Sequence, residues 1–240
     1  MTRILVETND FRAGLISTVA HASNGKFYPE LARVRLDVGP VNINITATDT
    51  QTVGWSIVSV ESHLEPELET IDLSVSEVEK ILAVFKKPAR TKGDDPDHIL
   101  CVETTDQEVT ITDASGLFAG SESLTVLRLP SDEKFPNIPE TFAHAQHSPL
   151  RAVDWILATD PMLRRFHAAA ECYHEPFTFE SVRTTSSITV RCGDSFIGRM
   201  PQPRLADKTD ELKRWRDGWD ARIPTPAEVE AKRAEQESQP

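Results

Sequence analysis

Residues 196–205, with the sequence FIGRMPQPRL, begin as an apolar strand and then change character. Pro201 and Pro203 each lack a backbone N–H and have a fixed φ, so the segment is confined to the edge of a sheet. Met200, the two prolines and Leu205 then form a stiff apolar surface with an arginine at each margin. Such a surface either closes a hydrophobic core or lines a groove that binds a peptide from another protein.

The composition is that of a globular protein with a substantial core. The chain has 240 residues, of which 39% are hydrophobic and 27% are charged. No apolar run is long enough to span a membrane, and the N-terminus lacks the apolar region of a signal peptide, so we expect a cytoplasmic protein. The three cysteines lie far apart without C-x-x-C spacing, which indicates reduced, buried thiols.

The formal net charge of −12 argues against a protein that wraps DNA with a generally basic surface. It does not exclude DNA, because an acidic protein can carry basic residues along one inner surface. Any contact with DNA would then be local, and the placement of the basic residues becomes the feature to examine.

Hydrophobic periodicity predicts the same β-α-β-β-β order three times. The first copy spans residues 3–62, with a helix from Asn9 or Asp10 to about Ala22. The second spans residues 69–130, where overlapping capping boxes within residues 74–79 indicate the start of a helix.

The third copy lies within residues 143–205. It begins with a predicted strand at residues 153–158, followed by a helix that Asp160 caps and that has proline at its first position. Residues 131–149 are rich in proline and histidine and lack periodicity, which predicts a linker. Residues 206–240 form a charged tail whose helical stripe carries two tryptophans.

Three short motifs point to one family. They are ITATD at residues 45–49, FPNI at residues 135–138, and GDSFIG at residues 193–198 followed by Met200-Pro201. In this order and spacing the chain resembles the DNA sliding clamps, in particular the bacterial β-type processivity factor, the DNA polymerase III beta subunit. The resemblance implies an α+β DNA-clamp fold, with antiparallel sheets and helices on one face of them.

The resemblance also implies a division of the chain. Residues 1–142 correspond to one clamp domain with halves at 3–62 and 69–130, residues 143–205 correspond to a half-domain, and residues 206–240 form the tail. Bacterial clamps carry six such halves in a chain, and this chain carries three. A lone half leaves an open sheet edge, so we expect a homo-oligomer.

Clamps encircle duplex DNA with helices that carry lysine and arginine. The resemblance places Lys26 and Lys86 at positions where the family has DNA-facing basic residues. Lys87 and Arg90 cluster near Lys86, and Arg164 and Arg165 lie on the third predicted helix, so these four are further candidates for DNA binding. An alternative is that these residues belong to solvated helix faces, where basic residues at a helix C-terminus also favour the macrodipole.

Clamps also hold polymerase and repair proteins by a short peptide, in a pocket that the terminal Met-Pro-x-Arg segment partly lines. The matching positions here are Met200, Pro201, Pro203 and Arg204. The alternative is that this segment only seals a sheet edge. The tryptophan-bearing tail would then either dock on the clamp surface or recruit a partner.

The sequence gives little support for catalysis. His144 and His147 beside Glu140, and the carboxylates of residues 94–97, lack the converging ligands of a zinc site or the glycine and closing glutamate of a calcium loop. We therefore expect no enzyme activity, no cofactor and no metal.

The leading hypothesis is a processivity factor that binds double-stranded DNA and a DNA polymerase in association with the nucleoid. The alternative is a clamp-fold interaction module or decoy that does not encircle DNA. The short chain is consistent with a phage or mobile-element gene.

Overall fold

The structure is a computed structural model, and the residues it describes are 2–65, 68–86, 98–115, 122–153, 155–202 and 208–237. The chain divides into two compact units, Met1–Pro201 and Gln202–Pro240. In the first unit the described strands are β1 (Arg3–Glu7), β2 (Arg33–Val38), β3 (Asn42–Thr48), β4 (Val53–Glu65), β5 (Glu69–Ser74), β6 (Ile99–Thr104), β7 (Glu108–Asp113), β8 (Ser123–Leu127), β9 (Phe177–Ser181), β10 (Ser187–Cys192) and β11 (Phe196–Pro201). Its helices are α1 (Thr8–Val19), α2 (Val75–Val84), α3 (Ile138–Gln146) and α4 (Asp160–Tyr173), with a short 3-10 helix at Pro29–Leu31.

All of the strand pairs are antiparallel, and they join into one eleven-stranded sheet. Eight strands follow the order β5-β2-β3-β4-β1-β6-β7-β8, and an isolated bridge between Asp72 and Leu129 connects the two ends of this path. The strands β11, β10 and β9 extend the sheet from β4.

The long strand β4 joins the first and the third of the predicted copies. Along one edge it pairs with β3. Along the other edge, residues 53–56 pair with β11, and residues 60–65 pair with β1. The strand β11, which is the last strand of the third copy, is therefore paired directly with a strand of the first copy.

The helices α1, α2 and α4 pack beside one another, with α1 in contact with both of the others. A large core fills the space between α1, α2 and the eight-strand path, with Phe11, Leu15 and Ile81 fully buried in it. A smaller core lies under α4, around Phe166 and Phe196. The three helices that the sequence predicts for the repeated copies are all present, and the antiparallel α+β prediction is confirmed.

One predicted strand is wrong. Residues 153–158 contain no strand among the residues described, which exclude 154. The physical reason is the lack of a partner strand. Leu150 forms an isolated bridge with Val182, and the N–H of Arg151 donates to the carbonyl of Ser181 2.8 Å away, but no further ladder continues along β9.

The predicted linker at residues 131–149 contains the helix α3, which hydrophobic periodicity did not predict. Its N-cap is Asn137, whose Oδ1 accepts a hydrogen bond from the N–H of Glu140 at 3.3 Å. The predicted domain boundary at residue 142 falls inside this helix. The division of residues 1–205 into a domain and a half-domain stays a prediction.

Local capping signals were more reliable for α2. Ser74 caps the helix, and its hydroxyl accepts a hydrogen bond from the N–H of Glu77 at 3.2 Å, which confirms the first of the two capping boxes. For α4 the N-cap is Thr159 and not Asp160, with Pro161 in the first turn.

The second unit contains two helices among its described residues, α5 (Thr209–Asp220) and α6 (Pro226–Glu237). Trp215 and Trp219 on α5 are more than half exposed. Within the described part of the chain, no helix combines the length and the apolar character needed to cross a membrane.

Candidate functional site

The candidate site is built on the pairing of residues 53–56 of β4 with residues 196–199 of β11, which we call the seam. Trp55 lies opposite Ile197, and Gly54 lies opposite Gly198. Because side chains alternate across a strand, one face of the seam carries the two large side chains and the other face carries the two glycines. The helix α3 packs on the first face, and α1 and α4 pack on the second.

The glycine face allows a close approach of backbone and helix. A Cβ atom at Gly54 would lie 2.5 Å from Cδ2 of His21, and one at Gly198 would lie 2.5 Å from Cε1 of Phe166. The Cβ atom at Gly198 would also lie 2.7 Å from the carbonyl oxygen of Val53. Any side chain at either position would therefore separate the seam from the helices that cover it.

His21 follows α1 and is completely buried on this face. Its ring centroid lies 4.8 Å from that of Phe166, and its Nδ1 lies 3.0 Å from the Thr52 hydroxyl. Burial lowers the pKa of His21 to about 3, and the nearby positive charge of Arg165 acts in the same direction. The imidazole is therefore neutral at physiological pH and serves as a packing residue.

The opposite face carries the features of a binding surface. Phe142 of α3 is 3% exposed, and its ring centroid lies 5.7 Å from that of Trp55. The guanidinium of Arg199 lies 4.8 Å from the centroid of the Phe142 ring, and its Nη2 donates to the carbonyl of Thr141 at 2.9 Å. Phe142 is thus held between an aromatic ring and a cation.

Two cavities border Phe142. The first has a volume of about 360 Å³ and the second about 260 Å³. Both are lined by Phe142, Gln146, Arg191 and Ile197. We use the name α3 groove for the surface that α3 covers, which consists of Val53, Trp55, Ile57, Arg191, Ile197 and Arg199.

The residues predicted to bind a peptide do not form this groove. Met200 is 0% exposed and belongs to the core under α4, so its side chain faces away from α3. Pro201 is exposed at the end of β11. Pro203 and Arg204 lie outside the described residues. The groove residues were missed because they come from strands 130 or more residues apart in sequence, and no local pattern marks them.

The predicted DNA-binding residues fall into three groups. Lys26, in the loop after α1, and Lys86, just after α2, are exposed, and no carboxylate among the described residues pairs with either. Arg164 pairs with Asp160 of its own helix at 2.8 Å. Arg165 pairs with Asp49 and donates to the Thr52 hydroxyl at 2.8 Å. Lys87 and Arg90 lie outside the described residues.

Arg12, another basic residue of the helix layer, has a structural role. Its Nη1 donates to the carbonyl of Leu82 at 2.7 Å and also to the carbonyl of Phe85. These groups belong to the last turn of α2, whose carbonyls have no partner within the helix. Arg164 and Arg165 are thus engaged in ion pairs, and Arg12 caps α2. In the described part of the chain, Lys26 and Lys86 are therefore the clearest candidates for phosphate contact.

The histidines considered for a metal lie at α3. His144 is in its last turn and His147 is its C-cap. Within the described residues, no group of three or more His, Cys, Asp or Glu side chains is arranged to hold a metal ion. The carboxylates of residues 94–97 lie outside the described residues.

Comparison with known proteins gives a match by structure only. No protein-family model matches the sequence, and no curated protein matches it. The chain superimposes on a DNA polymerase III beta subunit from Thermotoga maritima with a TM-score of 0.61 and 13% identity, which covers 84% of this chain and 64% of that one. A putative beta subunit from Eubacterium rectale gives 0.58 and 10%, covering 85% and 65%. The beta chain from Streptococcus pneumoniae gives 0.56 and 15%, also covering 85% and 65%.

These identities are low, so the match concerns the fold. It covers more than four fifths of the chain. The chain spans slightly less than two thirds of the length of the clamps that it matches. The fold predicted from the short motifs is confirmed, and the chain has the fold of the DNA polymerase III beta sliding clamps in a shorter form.

Proposed function

We propose that the protein is a sliding-clamp-like factor that tethers partner proteins to duplex DNA, with no catalytic role of its own. The observation that carries the proposal is the structural match to beta sliding clamps over 84% of the chain. The three helices α2, α1 and α4, packed side by side on one face of the sheet, supply a layer that can face the duplex.

In this proposal DNA is held by few phosphate contacts. Lys26 and Lys86 are exposed cations at the ends of α1 and α2, and Lys87 and Arg90 follow in the sequence. If each of these four contacted one phosphate, affinity per chain would fall about 10²-fold between 50 and 200 mM salt. Such a weak, salt-sensitive contact suits a protein that slides along DNA and retains it by topology.

Retention by topology requires a closed assembly, so the proposal includes a homo-oligomer. Among the described residues, β8 pairs only with β7, and β9 pairs only with β10. The other edge of β8 is available to another copy of the chain, and so is the other edge of β9 up to Ser181, where the carbonyl accepts a hydrogen bond from Arg151. Pairing β8 of one copy with β9 of the next is a head-to-tail contact, which closes into a ring when the rotation per copy permits.

The partner-binding role is assigned to the outer face of the seam and the end of β11. The α3 groove shares the strand β11 with Met200 and Pro201, two of the residues that the resemblance marked for peptide binding. A polymerase or another replication protein bound there would stay close to DNA.

The experiment compares retention on circular and linear DNA. The protein is mixed with nicked circular plasmid or with the same plasmid linearised, together with a clamp loader from the host, and is separated by gel filtration at moderate salt. We expect co-elution with circular DNA and loss from linear DNA, because a closed ring slides off free ends. Equal retention on both forms would contradict the clamp role and favour an interaction module that does not encircle DNA.

A charge-reversal variant tests the DNA-facing residues in the same assay. Lys26→Glu combined with Lys86→Glu and Lys87→Glu is expected to abolish retention without unfolding the protein. The matched control is Lys134→Glu, which reverses one exposed charge in the loop before α3. Undiminished retention of the triple variant would exclude these lysines from the DNA contact.

A further inference from the structure

The helix α3 covers an apolar part of the sheet that would otherwise be exposed. Val53, Trp55 and Ile197 on the outer face of the seam pack against a cluster that contains Ile138 and Phe142 of α3. Along the other faces of α3, five of its nine residues are exposed to solvent. The helix therefore contacts the rest of the molecule mainly through Ile138, Phe142 and Ala145, which are its buried residues.

The contact between α3 and the sheet is incompletely filled. Clefts of about 360 and 260 Å³, each open to solvent on one side, border Phe142. An empty apolar cavity of roughly 150 Å³ is already large enough to hold benzene. Each of the two cavities therefore has room for an additional large side chain.

Arg199 provides a second, independent sign of an unfilled site. Its Nε is buried and has no hydrogen-bond partner among the described residues. Burial also lowers the pKa of this guanidinium. A buried donor without an acceptor is unfavourable, and a carbonyl or carboxylate placed beside Phe142 would satisfy it.

The helix is anchored on both sides, and between these anchors it is held by its buried side chains and by the hydrogen bond from Arg199 to the carbonyl of Thr141. Before it, the Phe135 ring lies under the guanidinium of Arg35 at 4.4 Å. After it, the hydroxyl of Ser148 lies 2.9 Å from that of Thr184. A helix of nine residues is too short to be stable by itself, so its structure depends on the contact with the groove.

We propose that α3 is a self-ligand that occupies the partner-binding groove and is displaced when a partner peptide binds. The groove accepts a peptide segment with an aromatic anchor in place of Phe142 and a carbonyl or carboxylate oxygen that reaches Nε of Arg199. This inference rests on the proposed partner-binding role of the groove. It adds that the groove is closed in the free protein and that the anchor of a competing ligand resembles Phe142.

The test uses the α3 segment as its own probe. A fluorescein-labelled peptide of residues 133–148 is titrated into the full-length chain and into its Phe142→Ala variant, and binding is followed by anisotropy. The intact chain is expected to exclude the peptide because its own α3 occupies the groove. The variant is expected to bind it at least tenfold more tightly, since the vacated site accepts the aromatic ring in trans.

Three controls keep the result interpretable. A labelled peptide with Phe142→Ala should bind neither protein. Phe27→Ala, which removes an exposed phenylalanine that lines neither cavity, should behave as the intact chain. Addition of Arg199→Met to the Phe142→Ala variant should weaken the binding again. A folded Phe142→Ala variant that binds the peptide no better than the intact chain would overturn the proposal.

Hydrogen exchange of the intact chain gives a readout that does not depend on a variant. The amides of residues 142–146 in α3 should exchange at least 10²-fold faster than those of α1, because α3 opens without global unfolding. Exchange of α3 only together with α1 would contradict a displaceable helix. Neither measurement involves DNA, so a failed DNA-retention experiment leaves this result standing, and a failed peptide experiment leaves the clamp role standing.

Discussion

His21 is a titratable residue that folding transfers from water to a fully buried site. Its folded pKa of about 3 lies below the ordinary histidine value of 6.5. Below pH 6.5 the unfolded chain therefore binds a proton that the folded chain does not. The stability that the neutral, buried ring contributes is complete above pH 6.5 and is lost progressively as the pH falls toward 3.

The prediction at this position is a pH dependence that a His21→Leu variant lacks. Between pH 6 and 4 the free energy of unfolding of the natural chain should fall by an additional ~1.4 kcal/mol per pH unit, the value for one proton. Urea denaturation followed by tryptophan fluorescence at several pH values measures both chains. If the free energy of unfolding changed with pH in the same way for both chains, His21 would have the same pKa in the folded and unfolded states, and the prediction would be wrong.

Other residue-scale features could not be predicted because the partners are distant in sequence. In the alternating pattern of β2, Arg33 and Arg35 lie on the polar side, which in a half-buried strand usually faces solvent. Both instead bind the buried carboxylate of Asp72 on β5, at 2.9 and 2.8 Å. In the same way, Arg165 was assigned to DNA from its helix alone, and its pairing with Asp49 depends on how α4 packs against the β3–β4 turn.

At the scale of elements, the end of α2 illustrates how one side chain supports a neighbouring helix. Arg12→Met removes the donors to the carbonyls of Leu82 and Phe85 but keeps most of the side-chain volume. We expect this change to lower the free energy of unfolding by about 1–2 kcal/mol, because partly buried acceptors lose their partner. Thermal or urea denaturation measures the effect.

Arg164→Met is the matched control for that variant. Its side chain is 78% exposed and pairs with Asp160 on the surface of the same helix. Exposed ion pairs contribute little, so its loss should cost no more than ~0.5 kcal/mol. Equal losses in the two variants would mean that Arg12 does not act as a cap.

Elements with local signals were predicted well, and elements that depend on partners were not. The start of α2 follows from Ser74 and Glu77, three residues apart, and the structure agrees. A similar local signal, Asn137 with Glu140, stands at the start of α3 and was overlooked because two prolines and the short length hid the periodicity. The pattern at residues 153–158 favoured a strand, but a strand also requires a neighbouring edge, and pairing with β9 ends at Arg151.

For the whole molecule, the motifs near residues 45–49, 135–138 and 193–200 were enough to predict the fold, while composition and charge were not. The position of the α3 groove could not be predicted, since it depends on the pairing of β4 with β11 and on a helix on the opposite face from α1. Nothing in the sequence indicated that Met200 would be buried in the core. Both faces of β11 carry apolar side chains, so the pattern does not distinguish the face toward the core from the face toward the groove.

Self-association is the prediction that concerns the complete chain. Leu127 on β8 and Phe179 on β9 are large exposed side chains on the two open strands. Phe179→Lys should block head-to-tail pairing, because a lysine on an edge strand opposes the approach of another strand. Sedimentation velocity at micromolar concentration is expected to show an oligomer for the natural chain and a monomer for the variant.

Leu127→Lys tests the other edge and should have the same effect, since a head-to-tail contact uses both strands. Phe27→Lys places the same charge on a loop and should leave the assembly intact. A stable monomer for the natural chain under these conditions would rule out the proposed ring.

The shared strand β4 has a consequence for biosynthesis. Residues 53–56 can pair with β11 only after about 140 more residues have been synthesised, since Ser56 pairs with Phe196. At 5–20 residues per second a ribosome needs roughly 7–30 s to add that length. During this interval a nascent chain that has already folded its first strands exposes an unpaired strand edge. Newly made protein is therefore most prone to associate wrongly before its last strand emerges. Chaperones that bind the nascent chain should then raise the yield of folded protein more than mutations that slow the unfolding of the finished protein.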